Sequence, residues 1–285
     1  MIGITFGGVL YTFLVVFAFG ACIGSFLNVC IYRIPREESV VTPRSHCPHC
    51  GKLIAWYDNI PILSWLFLGA KCRHCGGGIS MRYILVEALI GVLFSLVWLL
   101  YGIHTDSAGE YWLLLDARIP VYWLIVAGLS VATFIDFEHF IIPDRISLGG
   151  IPAGIALSVL VPTMQGAATR WDGFNASVMG AVAGAGILWG VGAVGKLIFK
   201  KDAMGMGDVK LLGAIGAFMG WRCVLFTIVA SSFFGSFVGM GLIMWGGRKW
   251  QSRIPYGPYI AMGAVLWLLW GHQWWQAYMQ WVMTP

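Results

Sequence analysis

Charge is scarce in this chain. Asp, Glu, Lys and Arg make up 11% of its 285 residues against 59% apolar ones, which leaves too little polar side chain to cover a soluble domain. The composition predicts an all-α polytopic membrane protein. Other absences narrow the field. The glycines of "GMGD" at 205–208 are not followed by a Lys-Ser/Thr pair, so they form no phosphate-binding P-loop. No adenosine-binding fingerprint is present either. The first apolar segment, Ile4–Tyr32, lacks the basic n-region and small-residue cleavage site of a secretory signal. It reads as a retained transmembrane helix.

Apolar runs at 4–32, 84–101, 119–135, 146–162, 175–199, 209–221, 223–246 and 255–271 are mostly near the roughly 20 residues that cross a bilayer. About eight transmembrane helices follow. The 209–221 run is short and carries Lys210, so a tilted or re-entrant segment is the alternative there. With the N-terminus outside, all 18 basic residues except Arg118, Arg170 and Arg222 fall on the inner side, as the positive-inside rule requires. The same asymmetry accounts for the net charge of +5 without a nucleic-acid partner.

The sizeable polar stretch, 33–83, contains Cys47 and Cys50, then Cys72 and Cys75, two Cys-x-x-Cys knuckles separated by 21 residues. Two such knuckles close a tetrahedral four-thiolate shell, the arrangement of structural zinc. Disulfides are disfavoured because the charge pattern puts this insert in the reducing cytoplasm. His46, His49 and His74 adjoin the knuckles as alternative ligands. Cys22, Cys30 and Cys223 lie in apolar runs as small packing residues.

Carboxylates occur in two unusual places. "FIDFEHFIIPDRISL" (134–148) holds Asp136, Glu138 and Asp144; "GMGDVKLL" (205–212) places Asp208 between a glycine-rich turn and an apolar run. The charge pattern sets both at the cytoplasmic ends of spans. Two carboxylates brought together in a poorly hydrated site share a proton and serve as acid and base. The competing reading is structural: Asp208 and Asp144 as helix caps, or the acids as a transporter's proton relay. Glu87, about a turn into the second span, reads as snorkelling to the interface, Asn28 as an interhelical hydrogen bond and the glycine pairs 180/184 and 186/190 as close helix packing. The Trp-rich tail, 267–281, reads as an interfacial anchor.

Taken in order, "GSFLNVCIYRIP" (24–35), the two knuckles, "DNIPILSWL" (58–66), "ISMRYILVEALIG" (79–91), "IDFEHFIIPD" (135–144), "GMGDVKLLGAIGAFMG" (205–220) and "IPYGPYIAMGA" (254–264) resemble the prepilin peptidases. The resemblance covers nearly the whole chain. It implies an aspartic endopeptidase of the Gly-x-Gly-Asp type in the bacterial inner membrane, N-terminus outside and active site facing the cytoplasm. Such an enzyme cleaves type IV prepilins and pseudopilins after the glycine that ends a short basic leader. The family's catalytic pair maps onto Asp136 and Asp208, with Gly205, Gly207, Asp144 and Lys210 in support. The four cysteines would bind structural zinc. Many members also N-methylate the new terminus with S-adenosylmethionine, an activity associated with the insert. The expected partition is a first transmembrane helix (1–32), a zinc-binding insert with the methyltransferase region (33–83) and a transmembrane peptidase domain (84–285).

One departure stands out: Ala70 replaces the glycine the family usually places two residues before the third knuckle cysteine. Within the same chemistry, the absence of a Pro-Ala-Leu motif after Asp208 argues against a presenilin-like protease, and the cysteine insert argues against an archaeal preflagellin peptidase. From another class, the alternative is a proton-coupled transporter or a zinc-stapled scaffold subunit of a secretion apparatus, apposed to membrane lipid in either case.

Overall fold

The computed structural model describes residues 2–200, 204–246 and 255–284. Lys201, Arg248, Lys249 and Arg253 of the basic pattern lie outside the described residues. The chain is mostly helical and divides into two units, Met1–Val131 and Ala132–Pro285. The boundary falls inside a helix.

The first unit begins with β1 (Ile2–Ile4) and α1 (Phe6–Arg33). Thr5 caps α1, its hydroxyl oxygen accepting the Gly8 N–H at 3.3 Å. After the insert, which contains the short α2 (Leu63–Phe67), come α3 (Arg82–Gly102), β2 (Ile103–Thr105), β3 (Tyr111–Leu113) and the start of α4 (Arg118–His139). The strands form a small antiparallel sheet in the order β1-β3-β2. Nothing in the sequence announced it, because strands of three residues are too short to show an alternating pattern.

Small residues let α1 and α3 approach closely. A Cβ on Gly20 would lie 2.9 Å from Gly91 Cα, and one on Gly24 2.8 Å from Glu87 Cα. Asn28 donates to the Tyr83 carbonyl at 3.1 Å, the interhelical bond expected of it. Trp123 stacks on Phe94 at 5.0 Å and donates to its carbonyl at 3.0 Å.

The second unit contains the end of α4, then α5 (Asp144–Leu160), α6 (Arg170–Phe199), α7 (Met206–Gly246), α8 (Gly257–Leu266), a π-helical turn (Trp267–Gly271) and α9 (His272–Met283). Thr169 and Asp172 open α6: the Thr169 hydroxyl accepts the Asp172 N–H at 3.1 Å and lies 2.7 Å from Asp172 Oδ2. Glycine again sets the helix packing. A Cβ on Gly180 would fall 2.1 Å from the Gly216 carbonyl oxygen, and one on Gly184 2.3 Å from that of Leu212. Gly186 and Gly190 face open space instead, so only the first glycine pair serves packing.

Helix α7 is broken at Gly220, where φ is 78° and ψ 172°. The break leaves backbone groups to satisfy inside an apolar layer. Ser158, Ser177 and the Gln165 amide all donate to the Ala217 carbonyl, at 3.2, 2.6 and 2.9 Å.

Among the described residues, five helical segments are long and apolar enough to cross a membrane: Phe6–Arg36, Arg82–Gly102, Arg118–His139, Arg170–Ile198 and Met206–Leu242. All eight apolar runs fall mainly on helix. α5 has 17 residues, about 26 Å at 1.5 Å per residue against a hydrocarbon core of roughly 30 Å. The runs 209–221 and 223–246 are the two halves of α7, and the last, 255–271, is α8 with the π-helical turn. Several tryptophans near the C-terminus also pack within the unit. Trp267 and Trp274 pack on Phe226 at 5.5 and 5.3 Å, and Trp275 meets Trp221 edge-on at 6.0 Å.

Candidate active site and metal centre

Asp136 occupies the last turn of α4. The helix stops just beyond it: the Phe140 N–H bonds the Asp136 carbonyl at 3.0 Å and Phe140 turns left-handed, with φ of 55°. Asp136 is only 6% exposed. Its Oδ2 accepts the Gly257 N–H at 3.0 Å, a donor otherwise left free at the start of α8. Pro258 follows, a residue suited to a first helical turn.

Asp208 lies in the first turn of α7. Its N–H reaches the Gly205 carbonyl at 3.2 Å, and its carboxylate accepts the Gly205 N–H in return, a reciprocal bond of the capping-box kind. A Cβ on Gly205 would stand 3.0 Å from Asp208 Oδ2.

Ile142 connects the two acids. A Cβ on Gly207 would be 3.1 Å from Ile142 Cβ, and one on Gly257 would be 3.1 Å from Ile142 Cδ1. The residue beside each aspartate thus touches the same side chain. The Asp136 carboxylate also acts electrostatically on Asp208. Asp144 opens α5 without capping it, and its carboxylate instead takes Lys210 Nζ at 2.7 Å. That ion pair ties the start of α5 to the start of α7. Gly257 and Ile142 were not singled out from the sequence. A glycine-proline pair within an apolar run was the available signal for Gly257.

The knuckles fold as two equivalent turns. Gly51 N–H bonds Cys47 O at 2.9 Å and Gly76 N–H bonds Cys72 O at 2.9 Å, with φ of 67° and 68° at the two glycines. Only glycine adopts that conformation without strain. The turns bring the sulfurs of Cys47, Cys50, Cys72 and Cys75 within 4.8 Å of one another. Four sulfurs each about 2.3 Å from one ion would stand about 3.8 Å apart, and Cys47 Sγ to Cys75 Sγ is 3.8 Å. The donor set fits a tetrahedral metal, and the histidines are outside it.

Proton occupancy points the same way. The N–H groups of Cys75 and His74 pull the Cys72 thiol down to about 6. Cys75, although the Gly77 N–H lowers it, is pushed up to about 11 by desolvation and the neighbouring thiols. Four thiolates cannot gather without a cation to hold them.

The architecture and its acids define a class: polytopic membrane proteins with an aspartate at each of two helix ends and a four-cysteine insert. Residues 18–101 match the bacterial peptidase A24 N-terminal domain, and residues 123–240 match the type IV leader peptidase family. The prepilin leader peptidase/N-methyltransferase of Myxococcus xanthus (strain DK1622) is 39% identical over 243 residues, 85% of this chain and 66% of that protein. The protein of that name from Aeromonas hydrophila is 37% identical over 283 residues, 91% of each chain. Its namesake in Pseudomonas aeruginosa is 33% identical over 284 residues, 92% of this chain and 91% of that one. No solved structure matches the chain. The chain belongs to the type IV leader peptidase family.

Proposed function

We propose that this protein is a membrane aspartic endopeptidase that removes the short basic leader of type IV prepilins and pseudopilins and then N-methylates the new terminus. The observation that supports the first activity is that Gly257, which bonds Asp136, and Gly207, which precedes Asp208, both lie against Ile142, in a chain of the leader peptidase family. One carboxylate takes a proton from water as the water oxygen attacks the scissile carbonyl carbon. The other gives its proton to the carbonyl oxygen. Collapse of the resulting diol breaks the C–N bond, with a proton delivered to the departing nitrogen, so only water is consumed.

Gly257 N–H fixes one oxygen of Asp136 and leaves the other for substrate. The glycines before Asp208 give a peptide strand room to approach. The site faces the cytoplasm at the surface of the inner membrane, where the basic leader stays in water and the apolar pilin helix lies in lipid. Zinc at Cys47, Cys50, Cys72 and Cys75 cross-links an insert of about 50 residues, a size at which a metal staple is a usual requirement.

Methylation is supported by the relatives' names. S-adenosylmethionine, when bound, supplies a methyl group on a sulfonium. The first unit contains a cavity of about 360 Å³ beside the cysteines, within the range of small-molecule sites. Its aromatic lining, which includes Tyr32, Trp65 and Tyr83, fits such a group in kind.

The deciding experiment is prepilin cleavage by the wild type, Asp136→Asn, Asp208→Asn and Asp144→Asn, with insertion verified for each. Loss in the first two alone establishes the pair. Retained cleavage in either removes it.

A further inference from the structure

The cavity beside the cysteines contains a carboxylate that the peptidase reaction does not use. Glu87 reaches it from α3 and is 6% exposed. The sequence suggested a side chain snorkelling outward; instead its Oε2 accepts the Ile62 N–H at 2.7 Å, and the Ser25 hydroxyl is a second neutral donor. The arginines of the same lining are engaged elsewhere. Arg33 donates to the carbonyls of Ser39 and Pro43, both at 2.8 Å, and Arg73 holds Asp58 at 2.6 Å. A buried carboxylate with only neutral donors is incompletely compensated.

The donor from Ile62 is positioned at a cost. Ile62 sits at φ 63° and ψ −54°, within a γ-turn closed by the Leu63 N–H to the Pro61 carbonyl at 2.6 Å. That conformation is strained for any residue and more so for a β-branched one. Strain of this kind persists where the surroundings over-determine it, commonly at ligand sites. The walls add aromatic rings, with Trp65 fixed by its Nε1 donating to the Ile79 carbonyl at 3.2 Å. Aromatic faces around an uncompensated carboxylate are the recognition chemistry for an organic cation.

We infer that Glu87 and its cavity bind a small organic cation, the positively charged centre of one of the two methyl-transfer reactants. This rests on the methylation reading, which offers two such centres: the sulfonium of S-adenosylmethionine and the terminal ammonium of the cut pilin. Glu87 faces whichever one enters.

The test is equilibrium binding to the full-length protein in nanodiscs. The probes are S-adenosylmethionine against its neutral sulfide product, and a mature pilin peptide with a free amine against the same peptide acetylated. Glu87→Gln is expected to weaken one cationic probe by at least about tenfold, with its neutral counterpart unchanged. The affected probe identifies the cation. Unchanged affinity for both cations overturns the inference. So does a wild type that binds each cation no more tightly than its neutral counterpart, a result that needs no variant. Prepilin cleavage at the wild-type rate certifies that the variant is folded. If the wild type shows Glu87-dependent cation binding and yet transfers no methyl group, the methylation reading fails and this site stands.

Discussion

A methyl group on Gly257 would sit 2.7 Å from Asp136 Oδ2, closer than carbon and oxygen can approach without displacement. Gly257→Ala should therefore move the carboxylate and lower prepilin cleavage by roughly tenfold to a hundredfold, the scale expected of a misplacement near 1 Å. A cleavage time course on inserted protein reads this, and a wild-type rate would separate Gly257 from the chemistry. Ala70 offers a test in the opposite direction. Its φ is 59°, a left-handed conformation that costs a non-glycine residue roughly 1–2 kcal/mol. The usual glycine thus answers a backbone requirement, and Ala70→Gly should make the insert harder to strip of metal, measured as slower zinc loss to a chelator. Legibility in the sequence followed the same division. Cys47, Cys50, Cys72 and Cys75 announced their cluster because knuckle spacing is a local property. Gly257 was hidden because it reaches Asp136 across 121 residues through a main-chain N–H, a group every residue but proline carries.

At the scale of elements, α6 and α7 meet backbone to backbone. Gly180→Val must push aside the Gly216 carbonyl 2.1 Å away, whereas Gly186→Val meets nothing within 4 Å. The first should sharply reduce the yield of folded protein in detergent and the second should leave it unchanged; equal yields would contradict the packing described. The sequence suggested both glycine pairs as contacts, since spacing reveals a shared face without revealing whether a neighbour lies against it. The knuckle pair responds to acidity. Metal binding requires thiolates, and Cys75, raised to about 11, must release its proton to solvent as the ion binds. Protons therefore compete with zinc, and affinity should fall as pH is lowered from 8 to 6, as measured by competition with a zinc-sensitive dye. Affinity independent of pH would mean that the thiols are not the ligands.

For the whole molecule, the proposed orientation rests on the charge pattern. Ser107 lies in the turn between β2 and β3, and Ser39 follows α1 in the insert. With the N-terminus outside, Ser107→Cys should react with an impermeant maleimide in intact spheroplasts, above the wild-type background. Ser39→Cys should react only after permeabilisation, and the reverse pattern would invert the proposed topology. Eight apolar runs were legible because burial in lipid marks composition directly. The break that joins two of them was not, because it depends on side chains from other segments converging on the Ala217 carbonyl. That break divides the long helix into a short cassette bearing Asp208 and a distal half packed on the tryptophans. The joint therefore gives the Asp208 segment a helical register of its own, set apart from that of the segment that packs on Trp267 and Trp274.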